Sequence, residues 1–117
     1  MKMIKLKKFD VKEINVLKNA TFYFLSKKNT NLRQLSTNNP NEFLNRLLLI
    51  DISQRLFYFF RGKTESLKTE FSLSFSISEA IVMMQICDEF GTYLSDEFYQ
   101  HTLRQAKELI FNEIINL

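Results

Sequence analysis

The chain carries one histidine, His101, and one cysteine, Cys87. Together they bound the chemistry that the sequence supports. Nucleophilic hydrolysis needs an imidazole held against a serine or cysteine and oriented by an acid. His101 falls about 200° around a helix from Tyr99 and off the apolar stripe, where an imidazole faces water. Cys87 sits in "MMQICDEF" among apolar residues, the setting of a buried and inert thiol. Two soft ligands do not make a zinc site. The acids Asp51, Asp88, Glu89, Asp96 and Glu97 leave carboxylate-only hydrolysis open. However, Asp96 and Glu97 read as the acidic start of a helix, and Asp88 and Glu89 as the polar edge of another. Two glycines are too few for a phosphate-cradling loop. Met83 and Met84 fit a core at their spacing better than a ligand pocket. The expectation is a protein that is not an enzyme and holds no cofactor or metal.

Two other groups of residues point to binding. Lys2, Lys5, Lys7, Lys8 and Lys12 form the densest basic stretch. They suit a solvated face, an edge strand blunted by lysine, or contact with nucleic-acid phosphates. The run "LFYFF" at 56–60 holds Phe57, Tyr58 and Phe60, which fit either a core or a subunit interface, where aromatics are enriched.

The elements that must position these residues follow from pattern. The chain has 117 residues, 45% of them hydrophobic and only one a proline, which suits a single helix-rich domain. Ile4 and Leu6 alternate with Lys5 and Lys7, so residues 2–9 read as a strand. Asp10 and Glu13 have capping-box spacing and open a helix over about 11–28, with Ile14, Leu17, Ala20 and Phe24 on one stripe. The polar stretch 27–41 reads as a loop with one short turn at Leu32–Leu35. Asn39, Pro40 and Glu42 then start a helix over about 40–61, again with capping-box spacing, and Gly62 reads as its stop. That helix is apolar on nearly every side and should therefore be buried, in its own fold or against a partner. Phe71, Leu73, Phe75 and Ile77 alternate with serines, which marks a second strand at 68–77. Ser76 and Glu79 cap a third helix ending at Gly91. Ser95 caps a fourth, which carries Tyr99, Leu103, Ala106, Ile110 and Leu117.

"FDVKEI" at 9–14 and "FSISEA" at 75–80 match in residue type at an offset of 66. Each joins a strand end to a helix cap. The expected fold is α+β: an internal repeat of 1–62 and 68–117 in the order β-α-α-β-α-α. Its two strands would pair as an antiparallel ribbon, with four helices packed on one side.

The stretch 70–110 resembles a ribbon-helix-helix unit, through the alternating strand, Ser76 and Glu79, Gly91, and Ser95 with Asp96. That resemblance implies a ribbon whose polar face reads the DNA major groove, with Ser72 and Ser74 facing DNA. The phrase ending in "SEA" is also similar to small uncharacterised proteins of gut Bacteroides-type bacteria, which implies no activity.

Charge is uneven. Residues 1–65 hold 13 Lys and Arg against 5 Asp and Glu, while residues 66–117 hold 3 against 8. The resulting +8 and −5 halves could attract each other within the fold or between subunits. The start "MKMIKLKKF" lacks the apolar stretch of a signal peptide, and no apolar run spans a bilayer. The expectation is a cytoplasmic, non-membrane interaction or regulatory protein acting as a homo-oligomer, with a further protein partner possible. The alternative is a DNA-binding module using the lysine-rich first strand.

Overall fold

The computed structural model describes residues 3–91 and 96–117. Within them the order is β1 (Ile4–Asp10), α1 (Val11–Asn29), α2 (Leu32–Asn38), α3 (Pro40–Thr64), β2 (Glu70–Phe75), α4 (Ile77–Phe90) and α5 (Glu97–Ile115). The fold is α+β, and β1 and β2 form a two-stranded antiparallel sheet.

Two strands are too few to stand alone in water, so one face must be covered. Ile4, Leu6 and Phe9 of β1 and Phe71, Leu73 and Phe75 of β2 are all buried. They meet the inward residues of α1, α4 and α5, such as Phe24, Met83 and Leu103. Phe75 is gripped from α3, with the Phe59 and Phe60 rings edge-on at 5.7 and 6.1 Å.

The register contains a one-residue bulge. Leu6 pairs with Leu73, whereas Phe9 pairs with Phe71, so Lys7 and Lys8 together oppose Ser72. The cause is visible in "IKLKKF": the apolar residues are two apart and then three apart. A strand alternates sides every residue, so a step of three sends Phe9 to solvent unless one residue is inserted. Lys8 absorbs the insertion with φ = 66°.

Both strands run directly into capped helices. The Asp10 carboxylate accepts from the Glu13 N–H at 2.8 Å, and Glu13 accepts from the Asp10 N–H at 3.0 Å. The same exchange occurs at Ser76 and Glu79, at 3.2 and 2.8 Å. Two of the unpaired amides at each helix start are thereby satisfied. At the end of α4, the Gly91 N–H reaches the Cys87 carbonyl at 2.8 Å. A Cβ on Gly91 would lie 2.6 Å from that same oxygen, which is why glycine stands there.

Several expectations need correction. The described residues contain five helices, not four, and three of them separate β1 from β2, so the order is not a duplicated β-α-α. The stretch expected to be a loop contains α2, which starts from Asn31 in a left-handed conformation. The capping box at Asn39 is only half made. Its side chain accepts from the Glu42 N–H at 3.2 Å, but its own N–H is already bonded to Leu35 at the end of α2. Glu42 turns instead to Arg46, at 3.4 Å. Gly62 does not stop α3, which continues to Thr64. The cap of α5 is Asp96, which accepts from the Tyr99 N–H at 3.1 Å; Ser95 lies outside the described residues. Leu117 is exposed rather than part of the α5 stripe.

Asp10→Ala and Ser76→Ala should each lower unfolding free energy by about 1 kcal/mol. Phe75→Ala should cost about 3–5 kcal/mol, because the removed ring leaves a cavity between strand and helices. Urea unfolding followed by circular dichroism measures all three. Equal losses at the caps and at Phe75 would contradict this packing.

Candidate functional site

The residues whose types could support catalysis do not converge. His101 is exposed on α5. Asp51 pairs with Arg55 at 3.4 Å on the outside of α3. Asp88 is bonded to Lys107, and Glu89 to Lys27. The second of these ties the basic half of the chain to the acidic half. Asp96 is occupied as a cap, and Glu97 lies in the first turn it caps. Among the described residues, no group of three His, Cys, Asp or Glu side chains is placed to hold a metal ion.

Cys87 is buried, and burial pushes its thiol up to about 12. The Lys107 ammonium pulls it down less strongly, and the Asp88 carboxylate adds to the rise. Burial likewise pushes the Tyr99 phenol up to about 12, helped by Tyr23 and Cys87. Neither group offers a nucleophile near neutral pH. Met83 is core, and Met84 is partly buried against it.

The exposed surface is more informative. From Leu25 to Asp51 no residue is buried. The end of α1, all of α2 and the first half of α3 thus form an arm at the edge of the core, which only Leu49 of the arm's large apolar residues touches. The molecule is correspondingly elongated, at 45 × 34 × 26 Å. The arm carries Phe43, Leu44, Leu47, Leu48, Leu49 and Ile50, with Leu44 and Leu48 62% and 58% exposed. A helix apolar all round is expected to be buried in its own fold or against a partner; the fold itself buries Ile52, Ser53, Leu56 and Phe60 of α3.

Of the three expected interface aromatics, Phe60 is fully buried and belongs to the core. It points to the ribbon, whereas Tyr58 lies two residues away on the opposite side and is 63% exposed. Phe57, partly buried, lies between Tyr58 and Phe22, with ring centroids 5.8 Å from each. Phe22 and Tyr23 of α1 are exposed and continue this aromatic strip. They are missed by a reading that follows only the buried stripe of α1, although the run "TFYF" at 21–24 holds more aromatics than one stripe can bury. Tyr58 and Gly62 also form one wall of an open cleft of about 680 Å³ between the end of α3 and β2.

The second surface is the outer face of the ribbon. Lys5, Lys7 and Lys8 are exposed there with Ser72 and Ser74, and Lys12 is exposed in the first turn of α1. Lys2 lies outside the described residues. The bulge matters here, because it places two lysines opposite Ser72 where a regular strand would present one. The far end of the ribbon is acidic, where Asp10 pairs with Glu70.

Comparison of the chain with known protein families, with curated proteins and with solved structures finds no match in any of the three. No helix among the described residues is long and apolar enough to cross a membrane.

Burial of the Cys87 thiol couples stability to alkaline pH. Its folded pKa lies above the unfolded value of about 9, so both states hold the proton below that pH and stability is unaffected. Above it, the unfolded chain releases a proton that the folded chain keeps, and stability falls as pH rises toward 12. Cys87→Ala should therefore flatten the alkaline loss of stability in urea titrations above pH 9. A thiol reagent at pH 8 should label the unfolded chain far faster than the native one. Rapid native labelling would show the thiol to be accessible.

Proposed function

We propose that this protein is a small non-enzymatic interaction or regulatory protein that works as a homo-oligomer. One observation carries the reading: the first half of α3 leaves Leu44, Leu47 and Leu48 exposed within eight residues, beside half-buried Phe43 and Ile50. Exposed apolar surface in one contiguous region marks interaction sites in soluble proteins. The aromatic strip at Phe22, Tyr23 and Tyr58 extends the surface with residue types enriched at interfaces. The scatter of the acidic residues into ion pairs and caps supports the non-enzymatic part.

Light scattering over a concentration series tests it. The wild-type chain should exceed monomer mass, and Leu44→Lys with Leu48→Lys should return it to monomer while circular dichroism stays unchanged. A monodisperse wild-type monomer at high concentration would refute self-association.

A second reading is favoured by the bulge. We propose that the ribbon face binds nucleic-acid phosphates through Lys5, Lys7 and Lys8, with Ser72 and Ser74 beside them. The ribbon-helix-helix resemblance supports the same face. In that reading the basic strand and the serine strand belong to one chain, and the lysines come from the half outside the resemblance. Duplex binding measured by fluorescence anisotropy should weaken steeply with salt. The triple variant Lys5→Ser, Lys7→Ser, Lys8→Asn should reduce the slope of log K against log salt by roughly 1 per lysine. If no duplex binding appears at low salt, this reading fails.

A further inference from the structure

The exposed side of α3 has a pattern of its own. Leu44, Leu48, Asp51, Arg55, Tyr58 and Gly62 follow one another in steps of four, three, four, three and four residues. All six are exposed. Such steps keep residues on one seam of a helix that packs along another helix. From Leu44 to Gly62 the seam runs about 27 Å, at 1.5 Å per residue.

The chemistry along the seam is self-complementary when a second copy of α3 runs antiparallel. With a twofold axis at the level of Ser53, Asp51 faces Arg55 of the copy, and Arg55 faces its Asp51. Leu48 then faces Tyr58 of the copy, and Leu44 faces its Gly62. Each pair occurs twice, as a twofold interface requires. A parallel arrangement would set Asp51 against Asp51 and Arg55 against Arg55, which is repulsive at the centre.

Gly62 is an independent clue. A glycine inside a helix costs roughly 0.5–1 kcal/mol relative to alanine. Here the fold gives no reason for that cost. Gly62 has an ordinary negative φ, and a Cβ on it would meet nothing within 4 Å. It lies beside Tyr58 in the wall of the open cleft. In the antiparallel register this gap is where Leu44 of the copy lands.

Resting on the self-association reading above, we infer that a second copy of this chain docks along α3 as an antiparallel helix pair. In it, Asp51 and Arg55 form a reciprocal charge lock between Leu48–Tyr58 contacts. Each arm thereby reaches across the other subunit's aromatic strip.

A charge exchange tests the register. Asp51→Arg places two arginines against two arginines in the homodimer, and Arg55→Asp places two aspartates against two aspartates. Both positions are exposed, and their intrahelical pair is of the weak surface kind, so each variant should fold normally by circular dichroism. By analytical ultracentrifugation, each single variant should raise the dimer dissociation constant about tenfold or more. An equimolar mixture of the two restores opposite charges across the axis and should recover the wild-type association. If both single variants dimerise like the wild type, or if the mixture stays as weak as its components, the register is wrong. If the wild type itself is monomeric, the self-association reading fails and this inference with it.

Discussion

The fold depends on how two strands with no room to spare are covered. The ribbon buries Ile4, Leu6 and Phe9 against Phe71, Leu73 and Phe75. Each strand then passes into a helix through a capping box, with no linker between. A cap placed directly after a strand sets the direction in which the helix leaves. α1 and α4 are thereby returned over the same face of the ribbon, and the remaining helices pack on them. Loss of the strand pairing would remove the surface that every inward residue of α1 and α4 requires.

Much of this was legible because capping chemistry is local. Asp10 with Glu13 and Ser76 with Glu79 announce helix starts from four residues each, and the alternation in "FSLSF" announces a buried strand face. The stripe Ile14, Leu17, Ala20 and Phe24 was equally plain. What failed was less local. α2 has a polar sequence and no buried residue, so periodicity gave it no voice; its backbone bond from Asn39 to Leu35 then removed half of an expected capping box. Gly62 looked like a terminus because glycine usually is one, yet α3 passes through it. The apolar girdle of α3 is plain in the sequence, but which side the fold leaves open is not. Composition cannot separate Phe60, buried under the ribbon, from Tyr58, two residues on and exposed. Nor did the step of three in "IKLKKF" register as a bulge, although it was the signal for one.

The charge asymmetry has both a local and a global aspect. Among the described residues it appears as a bridge between halves, from Lys27 of α1 to Glu89 of α4, while Lys107 and Asp88 join the two helices of the acidic half. Lys5, Lys7, Lys8 and Lys12 are left exposed on the ribbon and in the first turn of α1. The apolar arm and the basic ribbon therefore use different parts of the surface, and occupation of one leaves the other's side chains available.

The arm also divides the molecule by local stability. Elements anchored by fully buried side chains open only when the whole domain opens, whereas segments with little buried contact open on their own at lower free energy. α2 and the first half of α3 are held by intrahelical hydrogen bonds and by lateral packing with each other and with α1, with no fully buried side chain before Ile52. Their amide protons should exchange with solvent well before those of β1, β2 and α4. A partner covering the arm would close that difference, so the exchange rate of the amides near Leu44 and Leu48 reports occupancy directly, residue by residue.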